Sequence, residues 1–208
     1  MEVFVGNFDQ MLVFGQKLFL EWNQAEMIAR HQLKANDQYL YVNYLGQPHR
    51  ILRSSGETEN LSTGLPVGPA SGLAILDYLC RDNLLPGMCG RRCPVNSLRN
   101  AGRSSPDTTA LHQPHADFFQ QHMPALAQAI ADLGYAPFPH GDIACIFPVF
   151  DCMGVVFQFW EGDEEFPPSV RFLWDENTPC YLRYETTYYV MGDFLSILRK
   201  RIAEIEKK

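Results

Sequence analysis

Met11, Phe14, Leu18 and Trp22 recur at spacings of three and four, and Met27 and Ile28 resume the stripe. This pattern predicts an amphipathic helix from about Phe8 to Gln32, with Asn7 or Asp9 placed to cap its start. The period then shortens to two. Gln38 to Leu45 is rich in aromatic and β-branched residues, Gly46-Gln47 supplies a turn, and His49 to Arg53 returns, which predicts a short hairpin. Ser54 to Pro69 collects Ser, Thr, Gly and Pro and reads as a surface loop. Leu73, Leu76, Leu79 and Cys80 then predict a short helix beginning near Pro69, where proline is tolerated in the first turn.

From about residue 84 to 113 no period survives, and the segment is rich in Gly, Pro, Ser and Arg. An irregular stretch of that length inside a compact domain is either functional or disordered. Phe118, His122, Leu126, Ile130 and Leu133 place a helix over about Pro114 to Leu133, with Pro124 expected to kink or split it. Three strands follow, Asp142 to Phe147, Gly154 to Trp160 and Ser169 to Trp174, each bounded by Pro, Gly or acidic residues. Met191, Leu195, Leu198, Ile202 and Ile205 form the buried stripe of a last helix over about Thr187 to Glu206. The expected class is α+β: an antiparallel sheet, made of the N-terminal hairpin and the C-terminal meander, packed with about four helices. No internal repeat interrupts this order, and 208 residues suit one domain, residues 1–208.

Composition narrows the setting. The 46% hydrophobic and 20% charged content is that of an ordinary globular chain. A net charge of -7 argues against a nucleic-acid surface, since phosphate binding needs a basic face, although a local basic patch is still compatible with it. No apolar run reaches the roughly 18 residues that span a bilayer. Met1 to Asp9 lacks the basic start and cleavage site of a secretory leader, so a cytoplasmic location is expected, with no membrane partner. There the six cysteines should be reduced thiols, with Cys145 buried in an apolar strand.

Trp160-Glu161-Gly162-Asp163-Glu164-Glu165-Phe166-Pro167-Pro168 packs four carboxylates into five residues. After a hydrophobic strand, and followed by Val170 to Asp175, Tyr181-Leu182 and Glu185, it resembles the uncharacterised microbial domains of unknown function, family 3786. Tyr44-Leu45-Gly46 and Asp77-Tyr78-Leu79 resemble that family's early hairpin and middle helix more weakly. The resemblance implies domain identity and architecture but no reaction, no cofactor and no catalytic residue. The chain departs from the family pattern at Cys89-Gly90-Arg91-Arg92-Cys93 to Arg99, where a glycine, an aromatic and a Ser-Phe-Arg run are expected.

Each candidate constellation has a plain alternative. Clustered carboxylates suit hard cations, and Asp163 and Glu165 would share one side of an extended segment, with Glu164 opposite. A solvated hairpin turn anchored by buried Trp160 and Phe166 explains the same residues more simply. Arg81, Arg91, Arg92, Arg99 and Arg103 face one acid, Asp82, over residues 81–105, a patch suited to an anion or to the acidic turn itself. We expect that loop to bring Arg91 or Arg92 within reach of Asp163 to Glu165, or of an anionic ligand. Cys89 and Cys93 form C-x-x-x-C, short of a zinc or thioredoxin pattern, and neighbouring arginines would bias their thiols towards the thiolate. Glu185 is expected to cap the last helix. His112, His115 and His122 suit a packing face, and no nucleophile elbow or H-E-x-x-H helix accompanies His140.

The leading expectation is therefore a non-catalytic small-molecule or cofactor-binding accessory domain. Its tentative ligand-binding residues are Arg91, Arg92, Trp160, Asp163, Glu164, Glu165 and Glu185, and its expected partner is an anionic small molecule or another protein. A metal- or thiol-dependent redox enzyme or helper of anaerobic metabolism, built on Cys89 and Cys93, is the alternative. The resemblance lends that alternative relatives joined to iron–sulfur segments, although this chain has no four-cysteine cluster motif. A protein-interaction domain using Tyr181, Tyr184, Tyr188 and Tyr189 is the third reading.

Overall fold

The computed structural model describes residues 7–81, 86–101 and 108–207, without the side chains of residues 108–110. The first apolar stripe forms two helices rather than one, α1 (Asn7–Glu21) and α2 (Gln24–His31). Asn23 makes the break. Its Oδ1 accepts from the amides of Ala25 and Glu26 at 3.1 and 3.3 Å, and its Nδ2 donates to Glu26 Oε1 at 2.8 Å. A side chain that satisfies the orphan amides of a new helix start ends the old helix. Gln32 closes α2 in the left-handed region, at φ 52°.

Strands β1 (Lys34–Ala35), β2 (Tyr39–Tyr44), β3 (Gln47–Leu52), β4 (Thr58–Asn60) and β5 (Leu65–Pro66) form one antiparallel sheet in that order. The expected hairpin is present but turns one residue earlier, at Leu45 and Gly46, whose φ values are 51° and 76°. Two positive φ values give the twist a two-residue hairpin needs. Leucine strains there. Its buried side chain and its N–H bond to the Val149 carbonyl, at 3.0 Å, hold it in place. The stretch expected as a plain loop, Ser54 to Pro69, contributes β4 and β5.

Helix α3 (Pro69–Leu79) begins where proline placed it. The segment read as irregular contains β6 (Arg92–Pro94), a 3₁₀ turn at Val95–Ser97 and the first turns of α4 (Thr108–Gln121). Residues 84–85 and 102–107 of that segment lie outside the described residues. Pro114, expected to open a helix, sits inside α4, whereas Pro124 does divide α4 from α5 (Met123–Asp132). Strands β7 (Ala136–Pro137), β8 (Ile143–Phe150), β9 (Met153–Trp160) and β10 (Ser169–Asp175) join β6 in a second antiparallel sheet ordered β6-β10-β9-β8-β7. Helix α6 (Tyr184–Ile205) completes the described fold.

The class is α+β, with two corrections. There are two five-stranded sheets rather than one, and six α-helices among the described residues rather than about four. Central strand β9 is buried from Val155 to Phe159, so both of its faces are covered. On one face Phe147, Phe157 and Phe172 meet Phe194 of α6, and Phe147 stacks on Phe194 at 3.8 Å. Each fully buried phenylalanine contributes about 1.5–3 kcal/mol, so this cluster ties α6 to the sheet. The start of α6 is fixed from α3. Asp77 Oδ2 accepts the Arg183 amide at 2.7 Å and the Thr186 hydroxyl at 2.6 Å. Among the described residues no helix is long and apolar enough to cross a membrane.

Candidate functional site

The acidic turn joins β9 to β10 as an antiparallel connection, as its pattern predicted. Asp163 organises it. Its Oδ1 accepts the Glu165 and Phe166 amides, both at 2.8 Å, and these bonds hold its carboxyl below the usual range. Gln120 of α4 accepts the Gly162 amide at 2.8 Å, and Asp142 accepts the Glu161 amide at 2.7 Å. At Gly162 a Cβ would lie 2.6 Å from Pro168 Cδ, so only glycine fits. Asp163, Glu164 and Glu165 are exposed, as expected, but the expected anchors are not buried. Trp160 is 38% exposed and Phe166 67% exposed. Backbone and Asx hydrogen bonds hold this turn, which removes the need for aromatic anchors.

The arginine–cysteine segment lies elsewhere. β6 pairs with the C-terminal end of β10, Asp175 opposite Arg92, whereas the acidic turn precedes Ser169 at the other end. Six residues of strand, about 20 Å at ~3.4 Å each, separate the two. Arg91 Nε instead reaches Glu176 at 2.7 Å, and the Arg92 guanidinium donates to the Gly154 carbonyl. The acid that this loop wraps is Asp175, which is buried. It accepts the Cys89 amide at 3.1 Å, the Cys89 thiol at 3.3 Å and the Gly90 amide at 2.7 Å. Burial alone would raise the Asp175 carboxyl, but the amides of Asn177, Cys89 and Gly90 and the Cys89 thiol hold it below its ordinary value. Cys93 moves opposite to expectation. Burial first, then Glu176, Asp175 and Cys89, push its thiol up, because the neighbouring charges that count are carboxylates rather than arginines. No three His, Cys, Asp or Glu side chains among the described residues are grouped to hold a metal ion.

Glu185 is exposed in the first turn of α6 without capping it, since Asp77 already holds that end. Tyr181 is buried and Tyr184, Tyr188 and Tyr189 are half-buried, so they do not form an open aromatic surface. His112 of α4 is packed against Phe172 of β10, and burial, then His115, lowers it to about 4.

A cleft of about 690 Å³ has none of the expected ligand residues in its wall. Its wall comes from the end of α2 (Arg30, His31), Lys34 of β1, Tyr41, Val42 and Asn43 of β2, Pro48 and His49 of β3, Tyr78 of α3, the β8–β9 turn (Asp151, Cys152) and Tyr181. Tyr78 stacks on Phe150 at 3.8 Å, and its plane lies within 10° of that of Tyr181. His31 lies 4.4 Å from Tyr78, ring to ring, and burial, then the Arg30 charge, lowers it to about 4. The Tyr78 hydroxyl meets Cys152 Sγ at 3.5 Å; burial raises both groups. The Arg30 guanidinium donates to the Arg81 carbonyl and lies over Trp22, whereas Lys34 has no carboxylate within salt-bridge reach among the described residues. Asp151 accepts from Asn43 at 2.9 Å.

His49 is only 4% exposed and also borders a second cavity of about 320 Å³. There Asp193 Oδ2 accepts the Tyr44 and Ser71 hydroxyls, each at 2.8 Å. Burial raises the Asp193 carboxyl against the pull of those two bonds.

A family model described as "Domain of unknown function (DUF3786)" matches residues 23–196. The chain belongs to this family. No curated protein and no solved structure matches it. Every wall residue of the cleft named above falls within the DUF3786 match, as do the acidic turn and the Cys89–Cys93 segment. Helix α1 precedes the match and exposes Met11, Val13, Phe14 and Leu20. The cleft residues went unnoticed because they are scattered along the chain. One signal was legible: His49 stands opposite Val42 in the hairpin, and the alternation of Leu40, Val42 and Tyr44 sends that face inward. A histidine on an inward strand position asks what it serves.

Proposed function

We propose that this DUF3786 protein is a non-catalytic accessory protein, placed in the cytoplasm, that binds a small molecule or cofactor in the cleft beside the β2–β3 hairpin. The cleft carries the reading. Its volume of about 690 Å³ falls within the roughly 300–1,000 Å³ of small-molecule sites, and such sites pair aromatic walls with a few polar groups. Half-buried Tyr41, with the more deeply buried Tyr78 and Tyr181 in the same wall, supplies aromatic surface, and exposed Lys34, without an ion pair among the described residues, supplies a cation for an anionic group.

The titratable groups in the wall favour binding over proton transfer. A general acid or base works best with a pKa near the working pH. His31 is moved down to about 4, and the Tyr78 phenol and Cys152 thiol are moved up, so all three are neutral near pH 7. Such groups give the wall an uncharged surface instead of a proton to exchange.

Native mass spectrometry of the protein purified without denaturant tests the reading. A stoichiometric adduct is expected that is lost on denaturation and absent from Asn43→Trp, which fills the cleft from an exposed wall position. A bare mass for the wild type, or an adduct unaffected by Asn43→Trp, contradicts it.

A further inference from the structure

We infer that His49 is the specificity-determining residue of this cleft, and that the ligand is a planar heteroaromatic anion presenting an N–H or O–H donor to His49 Nε2. The inference rests on the ligand-binding reading of the cleft and adds the chemistry of what is bound.

The tautomer of His49 follows from its neighbour. Nδ1 lies 2.9 Å from the Gln47 carbonyl oxygen, which can only accept, so Nδ1 carries the proton. Nε2 is then a bare lone pair. No described residue donates to it, and, unlike both His31 nitrogens, it is not sealed from solvent. The residue is nevertheless 4% exposed and borders both the cleft and the cavity of about 320 Å³, of which only the cleft has cationic side chains in its wall. Water is then the donor open to Nε2, and a ligand N–H or O–H that displaces this water takes over its hydrogen bond. Burial also lowers the His49 pKa, against the Gln47 bond, which keeps the ring neutral and Nε2 an acceptor at neutral pH.

The other two features of the ligand follow from the same wall. Half-buried Tyr41 lines it together with Tyr78 and Tyr181, whose near-parallel rings are 6.5 Å apart and more deeply buried, and an aromatic wall suits a flat ligand. Arg30 and Lys34 against the single carboxylate of Asp151 leave the charged side chains of the wall with a net positive charge, which favours a ligand anion.

The test uses flavin mononucleotide, which is planar, anionic and carries a ring N3–H, against its N3-methyl analogue, in which only that donor is capped. Quenching of flavin fluorescence on titration reads the affinity. The wild type is expected to prefer the uncapped probe by about five- to tenfold, the worth of one hydrogen bond. In His49→Phe the two probes should bind within about twofold of each other, and Lys34→Gln should weaken both equally while keeping the preference. The comparison of probes on the wild type needs no variant, so a His49 variant that fails to fold leaves the test intact. Equal affinities in the wild type, a preference that survives His49→Phe, or no saturable binding of either probe overturns the inference. An adduct in native mass spectrometry together with equal probe affinities would reject the role of His49 and keep the ligand-binding reading of the cleft.

Discussion

The acidic turn and the cleft are opposites in how they use polar groups. The turn has the most conspicuous sequence in the chain, yet it spends its chemistry on itself. Asp163 is occupied by two backbone amides, and Gln120 and Asp142 bind the neighbouring amides from outside. The cleft has no linear motif, but among the described residues Lys34 makes no ion pair and His49 Nε2 has no protein donor. A run of charges shows where solvent is, whereas unmet polar groups in a concave wall show where a ligand fits.

The comparison can be broken most forcefully with acid. His31 in the cleft wall and buried His112 of α4 are both lowered to about 4, and His49 is lowered as well. In the unfolded chain these imidazoles take up protons below about 6.5, while in the folded protein His31 and His112 stay neutral down to about 4. The unfolded state therefore binds more protons in that window. Stability is full above about 6.5 and falls with pH towards about 4, by up to about 1.4 kcal/mol per unit for each buried imidazole, less for the partly exposed His31. Urea unfolding at stepped pH checks this; a flat profile from pH 7 to 4.5 would deny that these rings are buried neutral.

Next in size is Gly162→Ala. Its Cβ meets the Pro168 ring, so we expect a loss of about 1–3 kcal/mol in thermal unfolding with ligand affinity unchanged. A variant as stable as wild type would mean the turn is looser than described. Two carboxylates at the N-terminal end of α6 sharpen the contrast further. Asp77→Ala should cost about 0.5–2 kcal/mol through the lost cap, and Glu185→Ala should cost almost nothing. Reversal of that order by calorimetry would restore the role first expected of Glu185. Smallest of all, Glu164→Gln with Glu165→Gln should leave both stability and calcium or magnesium binding unchanged. Titration calorimetry showing saturable binding that the double variant loses would make the turn a metal site after all.

Much of the fold was legible in the sequence, for physical reasons. The hairpin, the three long strands, α3, α6 and the break at Pro124 all declare themselves through a period or through proline and glycine. Asn23 followed by Glu26 also carried the signature of a fresh helix start, which the continuing apolar stripe obscured. The rest was hidden because it is not local. β6 is three residues long and exists through its pairing with β10. The division into two sheets depends on which strands meet, and Leu45 to Val149 is a bond across more than a hundred residues. Trp160 and Phe166 were expected inside on hydrophobicity alone, but a turn held by backbone bonds leaves them out. The cleft gathers residues from Arg30 to Tyr181, and only the alternation around Val42 and His49 hinted at it.

The central claim is that ligand occupies the cleft and leaves the acidic turn alone. Amide hydrogen exchange on the protein as purified and after stripping by denaturation and refolding tests this directly. The account predicts faster exchange after stripping around residues 30–34, 41–49 and 151–152, with residues 161–168 unchanged. Faster exchange at 161–168 with the cleft unchanged would contradict it.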